Sequence, residues 1–189
     1  MKRLNKKGFT LIELLAVIVI LGVLLAIAVP AVTKYINSSK KSTFISNVKQ
    51  YADSARTDAL AGTYQFPVSQ NHATVVTFSK IYPSLEKGGK TSSYDAEWDT
   101  DKSFVIIVNA GTSEAPKYEY YIAAVDQKGY GIGTLNSETN VATAAYVEYN
   151  ELKDVNVVQL GDNGGMTLPE ASSEITIGTK TITIDKVEN

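Results

Sequence analysis

Between Leu14 and Thr33 the chain runs for 20 residues without a charged side chain. As an α-helix rising about 1.5 Å per residue, such a run covers about 30 Å, the hydrocarbon thickness of a bilayer. Lys2, Arg3, Lys6 and Lys7 precede it with no acid among them, which predicts a cytoplasmic N-terminus by the positive-inside rule. A removable secretory signal has a shorter apolar core followed by a small-residue cleavage site. Here Pro30-Ala31-Val32 leads directly into another helical pattern, so the segment is expected to stay with the protein.

Beyond Lys34 the helical pattern continues but becomes amphipathic. Phe44, Val48, Tyr51, Ala52, Ala55 and Ala59 fall on one side at 100° per residue, and Lys49, Asp53, Ser54, Arg56 and Thr57 on the other. Gly62 is a plausible C-terminal stop. A continuous helix from Phe9 to Ala61 would run for about 80 Å. Two residues qualify that continuity. Gly22 lowers helix propensity, and Pro30 removes the hydrogen bond to the Ala26 carbonyl. Membrane helices tolerate both residues, and both also suit a local soft spot; the local sequence does not separate the two.

After Gly62 the period becomes strand-like. "TVVTF" (Thr74 to Phe78), "SFVIIV" (Ser103 to Val108) and "KYEYYIAAV" (Lys117 to Val125) are rich in β-branched and aromatic residues. "EITIGTKTITI" reads as two strands around a Gly178-Thr179 hairpin turn, and "GDNGG" (Gly161 to Gly165) as another turn. The segment from Val141 to Leu160 reads as strand and turn at both ends, with a short helix as the alternative. The fold class is therefore α+β: a long N-terminal helix whose apolar stripe covers one face of an antiparallel sheet. Taking the four N-terminal cations away from the net −2 leaves a formal −6 on residues 9 to 189, which argues against general nucleic-acid binding. The chain has no Cys, so disulfides, thiolate metal sites and Cys nucleophiles are all excluded.

One acid, Glu13, stands at the start of this greasy stretch, where a carboxylate normally needs a partner. No Lys or Arg lies within the run to serve. Cleavage between Gly8 and Phe9 would create one, because Phe9 would then carry a free α-amino group that is positive near neutral pH. Paired with Glu13 of a neighbouring chain, that amine would set the register between helices.

The stretch "KKGFTLIELLAVIVILGVLLAIAVPAV" resembles the class III signal of type IV prepilins: a short basic leader, Gly before the cut, Phe after it, and Glu as the fifth mature residue. Pro30 falls at the twenty-second mature residue, where the family commonly has proline. The likeness covers residues 2 to 33. It implies a type IV pilin fold, removal of residues 1–8, a helix over 9–61 that spans the membrane at 9–33 before assembly, and a globular head over 62–189. It also implies cleavage and N-methylation at Phe9 by a prepilin peptidase, and a Glu13–Phe9 contact during polymerisation by an assembly platform and a motor ATPase. The expected product is an extracellular fibre for adhesion, twitching or aggregation. A pseudopilin of a secretion or DNA-uptake machine, and an uncleaved membrane-anchored domain, are the alternatives. Many pilins close a C-terminal loop with a disulfide, and the absence of Cys here resembles pilins of Gram-positive bacteria.

The remaining motifs carry less. Asp95, Glu97, Asp99 and Asp101 alternate in "YDAEWDTDK", a spacing that suits calcium, but the loop lacks the Gly and distant Glu of an EF-hand. The plainer expectation is a solvated loop with Trp98 tucked inward. His72, the only histidine, is expected to be a solvated loop residue. Tyr118 and Tyr120 are expected to share one face of a strand. No catalytic constellation, cofactor motif or metal-ligand spacing is evident, and an enzyme is not indicated.

Overall fold

The computed structural model describes residues 10–84, 89–161 and 164–189. The chain divides into two units, one ending at Ser39 and the other running from Lys40 to Asn189. Helix α1, Leu11–Leu60, contributes to both. In the first unit its large apolar side chains are exposed all round, from Leu11 at 84% to Ile36 at 47%, as an all-apolar helix requires if its neighbours are lipid or other helices. The helix is assigned without a break through Gly22 and Pro30. Thr33 Oγ1 donates to the Val29 carbonyl at 3.0 Å, which satisfies a hydroxyl in apolar surroundings.

In the second unit the helix turns one stripe inward. Phe44, Ile45, Val48, Tyr51, Ala52, Ala55 and Ala59 are all buried, matching the 3.6-residue period with Ile45 added. The three alanines keep that face thin and let a sheet approach closely. The helix ends as expected at Gly62, whose φ of +82° is unfavourable for any residue with a Cβ. Gly62 N–H donates to the Ala59 carbonyl at 3.0 Å and Thr63 N–H to the Asp58 carbonyl at 2.9 Å, the paired bonds of a Schellman cap.

The main sheet has six strands. They are β1 (His72–Thr77), β2 (Phe104–Asn109), β3 (Tyr118–Ala123), β6 (Val147–Glu148), β8 (Glu174–Ile177) and β9 (Lys180–Glu188). Their order is β6-β3-β2-β1-β9-β8. A second sheet of three antiparallel strands sets β4 (Tyr130–Leu135) between β5 (Ala142–Ala144) and β7 (Val157–Gln159). The segment from Val141 to Leu160 is thus strand at both ends, with two short 3-10 turns between. The "TVVTF" run ends one residue early, since Phe78 opens the short helix α2 (Phe78–Ile81). The hairpin turn at Gly178-Thr179 is present. In the "GDNGG" turn Gly164 N–H donates to the Gly161 carbonyl at 3.0 Å; Asp162 and Asn163 lie outside the described residues.

Two features of the main sheet depart from the sequence expectation. It is not wholly antiparallel, because the C-terminal strand β9 pairs in parallel with β1, with a bulge after Ala73. It is also covered on both faces. Val76, Val105, Ile107 and Ile122 face the stripe of α1. Ala73, Val75, Phe104, Ile106 and Val108 face the other way; Ile175 and Ile177 of β8 extend that face, and Tyr146, Met166 and Leu168, from outside the sheet, pack against it. A strand buried on both sides reads as a continuous apolar run. The unalternated "FVIIV" of β2 carried that signal.

Tyr51 anchors the helix-side core. Its ring stacks on Phe78 at 3.8 Å and 3°, and meets Trp98 edge-on at 6.0 Å. Its hydroxyl donates to the Gly89 carbonyl at 3.1 Å, which also accepts Trp98 Nε1–H at 3.2 Å. Tyr51→Ala is expected to cost the Lys40–Asn189 unit about 3–5 kcal/mol, read as a lowered thermal midpoint by circular dichroism. Gly62→Ala meets no steric neighbour within 4 Å, so only the positive φ is penalised and the cost is about 1–2 kcal/mol.

Candidate functional site

Glu13 sits in the first turn of α1. Its Oε2 accepts the Thr10 backbone N–H and the Thr10 hydroxyl, both at 2.8 Å. Glu13 N–H in turn faces Thr10 Oγ1 at 3.4 Å. This reciprocal arrangement is a capping box, and "TLIE" (Thr10 to Glu13) is its S/T-x-x-E signature. This local role was not read from the sequence, although the signature was there. The acid is therefore bonded within its own chain, at the helix end whose dipole favours negative charge. Both bonds use Oε2. Oε1 takes none among the described residues, so the carboxylate keeps one oxygen for a second partner. Gly8 and Phe9 lie outside the described residues. Gly22 opens onto free space, and Pro30 stands inside the helix.

The alternating acids do not converge. Asp95 Oδ2 is 4.0 Å from Lys40 Nζ, with its side chain 90% exposed. Asp99 pairs with Lys102 at 3.3 Å and accepts the Asp101 N–H at 3.2 Å. Glu97 sits in a short bridge with Thr91. Among the described residues no group of three or more potential ligands comes together. Trp98 is buried, as expected of the plainer alternative. His72 differs from expectation: it opens strand β1 rather than standing in a loop, and its Nδ1 lies 2.5 Å from Asp185 Oδ1 on β9.

Tyr118 and Tyr120 do share a face, lining a cleft of about 430 Å³ with Arg56, Leu60, Phe66 and Tyr149. Glu119, between them, gathers Lys117 at 3.5 Å, Lys180 at 3.3 Å and the Tyr121 hydroxyl at 3.1 Å. Burial pushes its carboxyl up, but the bonds from Tyr121, Lys180 and Lys117 outweigh it, and the group titrates below its ordinary range. Burial, together with that carboxylate, pushes the Tyr121 phenol up to about 12. A buried acid, Asp126, was not singled out from the sequence. It accepts Ser92 Oγ–H at 2.5 Å and the N–H groups of Lys128 and Tyr130 at 2.9 and 3.0 Å. It ties the loop around Ser92 to the start of β4, and is satisfied in that structural role.

Residues 3–29 match the family model described as the prokaryotic N-terminal methylation motif. A fimbrial protein of Pseudomonas aeruginosa is 25% identical over 127 residues, which cover 67% of this chain and 82% of the relative. The type IV major fimbrial protein FimA of Dichelobacter nodosus is 45% identical over 57 residues, which cover 30% of this chain and 36% of that protein. No solved structure gives a significant match.

The Glu119 cluster makes a pH dependence. With its folded-state pKa lowered, Glu119 contributes stability above its unfolded-state value and loses it as the pH falls through the folded one. Thermal midpoints should therefore fall as the pH drops below about 4, and Glu119→Gln should flatten part of that fall. An unchanged acid slope in the variant would assign the loss to other carboxylates.

Proposed function

We infer that this chain, a member of the type IV pilin family, is a structural subunit cut between Gly8 and Phe9, N-methylated at Phe9 and polymerised into a surface fibre. The observation that carries this reading is the Glu13 carboxylate. It stands at the head of an exposed apolar helix, within the matched methylation motif, capped through one oxygen and open at the other.

Before assembly the segment over 9–33 holds the chain in the membrane, with the N-terminus cytoplasmic and the Lys40–Asn189 unit outside. A prepilin peptidase removes the basic leader and leaves a cationic Phe9 amine, which methylation keeps charged. That amine meets Oε1 of Glu13 on an adjacent subunit as an assembly platform and motor ATPase draw subunits from the membrane. In apolar surroundings an ion pair outside its register leaves two unpaired charges, so the pair selects one stagger between helices. The apolar side chains that faced lipid then face one another in the fibre interior. Adhesion, twitching or aggregation follow from the fibre, with Gly22 and Pro30 as the places where the helix can loosen during that transfer.

Two variants separate capping from pairing. Glu13→Ala removes both roles, whereas Glu13→Gln keeps an amide oxygen for Thr10 and removes only the charge. Both should insert in the membrane normally, and both should lower fibre yield by about tenfold or more, since the lost contact recurs at every subunit. Normal fibres from Glu13→Gln would refute the charge pairing. Mass spectrometry of the mature chain should find N-methylated Phe9 at its start; an intact Met1 would overturn the reading.

A further inference from the structure

We propose that a second copy of this chain docks head-to-tail on the Lys40–Asn189 unit. In that contact the loop joining β4 to β5 of one copy enters the Arg56–Tyr120 cleft of the next, with Glu138 opposite Arg56. The proposal rests on the fibre-subunit reading and adds a contact that the N-terminal helices do not make.

The cleft is shaped for a partner. Tyr118, Tyr120, Phe66 and Tyr149 wall it, with the Phe66 and Tyr118 rings 4.3 Å apart and the Tyr149 hydroxyl held by Asp53 at 3.2 Å. Leu60, at its rim, is 70% exposed. The Arg56 side chain is exposed beside these rings and makes no ion pair or hydrogen bond among the described residues. Exposed arginine and tyrosine are the side chains that most often anchor protein contacts.

The loop has the complementary character. Leu135 and Val141 flank it at 52% and 57% exposure, and between them Glu138 makes no ion pair among the described residues. The loop is braced from within. Asn136 N–H donates to the Val141 carbonyl at 3.0 Å and Asn140 N–H to the Asn136 carbonyl at 2.8 Å. The Asn136 side-chain oxygen accepts the N–H groups of Glu138 and Thr139 at 2.9 and 3.2 Å. A protruding loop already fixed in shape loses little entropy on docking. It thus offers two apolar shoulders and an acid, where the cleft offers an apolar rim, aromatic walls and the unpaired Arg56; of its two carboxylates, Glu119 is already paired with Lys117 and Lys180 and Glu148 accepts from the Asn150 amide.

Placement completes the case. Leu135 lines one cleft with Lys41, near the start of this unit's helical segment, while Arg56 lies fifteen residues further along, about 22 Å up the helix. Loop and cleft therefore sit at opposite ends and do not meet within one copy. Joined between copies they make a heterologous contact, which repeats without closing when copies are related by a screw and so builds a filament.

The test uses the full-length chain in cells that assemble it. Arg56→Glu and Glu138→Arg should each cut fibre yield several-fold at unchanged protein level, and the double charge swap should restore it. Because the chain has no Cys, Arg56→Cys with Glu138→Cys should give a ladder of disulfide-linked multimers in sheared fibres, and Lys80→Cys with Glu138→Cys should not. Wild-type yield from both single variants, with no ladder, would overturn the contact and leave the fibre reading standing. Fibres at normal yield that lose surface attachment in Arg56→Glu would also overturn it, assigning the cleft to another ligand. Absence of fibres from the wild type, with an unprocessed N-terminus, would remove the reading on which the proposal rests.

Discussion

The Lys40–Asn189 unit depends on one burial: the stripe of α1 from Phe44 to Ala59 against the inner face of the main sheet. Alanines at 52, 55 and 59 bring the backbone close, while Phe44 and Tyr51 reach into the space this leaves and meet Trp98 and Phe78. Aromatic rings in stacked and edge-on contact bury much area at low rotamer cost. Here they also fix the loops, because Tyr51 and Trp98 share the Gly89 carbonyl. Without this packing a helix with a polar far side would have little reason to persist outside a membrane, since its propensity alone is weak support.

The outer face of the sheet poses the second problem, and a chain without cysteine solves it by non-covalent means. The C-terminal hairpin lays Ile175, Ile177 and Ile182 into the outer cluster. Lys180 at its turn reaches Glu119 on β3, and Asp185, at the bulge, meets His72. Strand β9 pairs with β8 through Lys180 to Thr183 and then runs in parallel beside β1 through Thr183 to Glu188. The edge passes to β8, which is only four residues long and begins with Glu174. A short, charged edge limits uncontrolled pairing with other sheets.

Glu13 joins local chemistry to assembly. In the single chain its charge is balanced by helix-end donors through Thr10, so a subunit can wait in the membrane with its acid already bonded. The same bonds hold the carboxylate in place and leave Oε1 without a bond among the described residues, the oxygen to which the proposed pairing assigns the partner amine. An acid capped in this way costs less to keep in apolar surroundings, and under the proposed pairing it is also pre-oriented for its partner.

The N-terminal half of the protein was legible in its sequence. A charge-free run long enough to cross a bilayer, an amphipathic stripe at 3.6-residue period, and a glycine where the helix must turn left-handed are all local properties, each set by residues within a few turns of one another. The strands of the main sheet were legible as segments for the same reason. The sequence could not tell which strands pair, because pairing is decided by chain closure over long separations. The parallel placement of β9 beside β1, the covering of the sheet on both faces, and the union of Arg56, Phe66, Tyr118 and Tyr149 in one cleft each join residues tens of positions apart. His72 and the alternating acids were misjudged or left open for that same cause. Whether a polar side chain is solvated, paired or gathered round an ion depends on what the fold brings beside it, and only tertiary packing decides that.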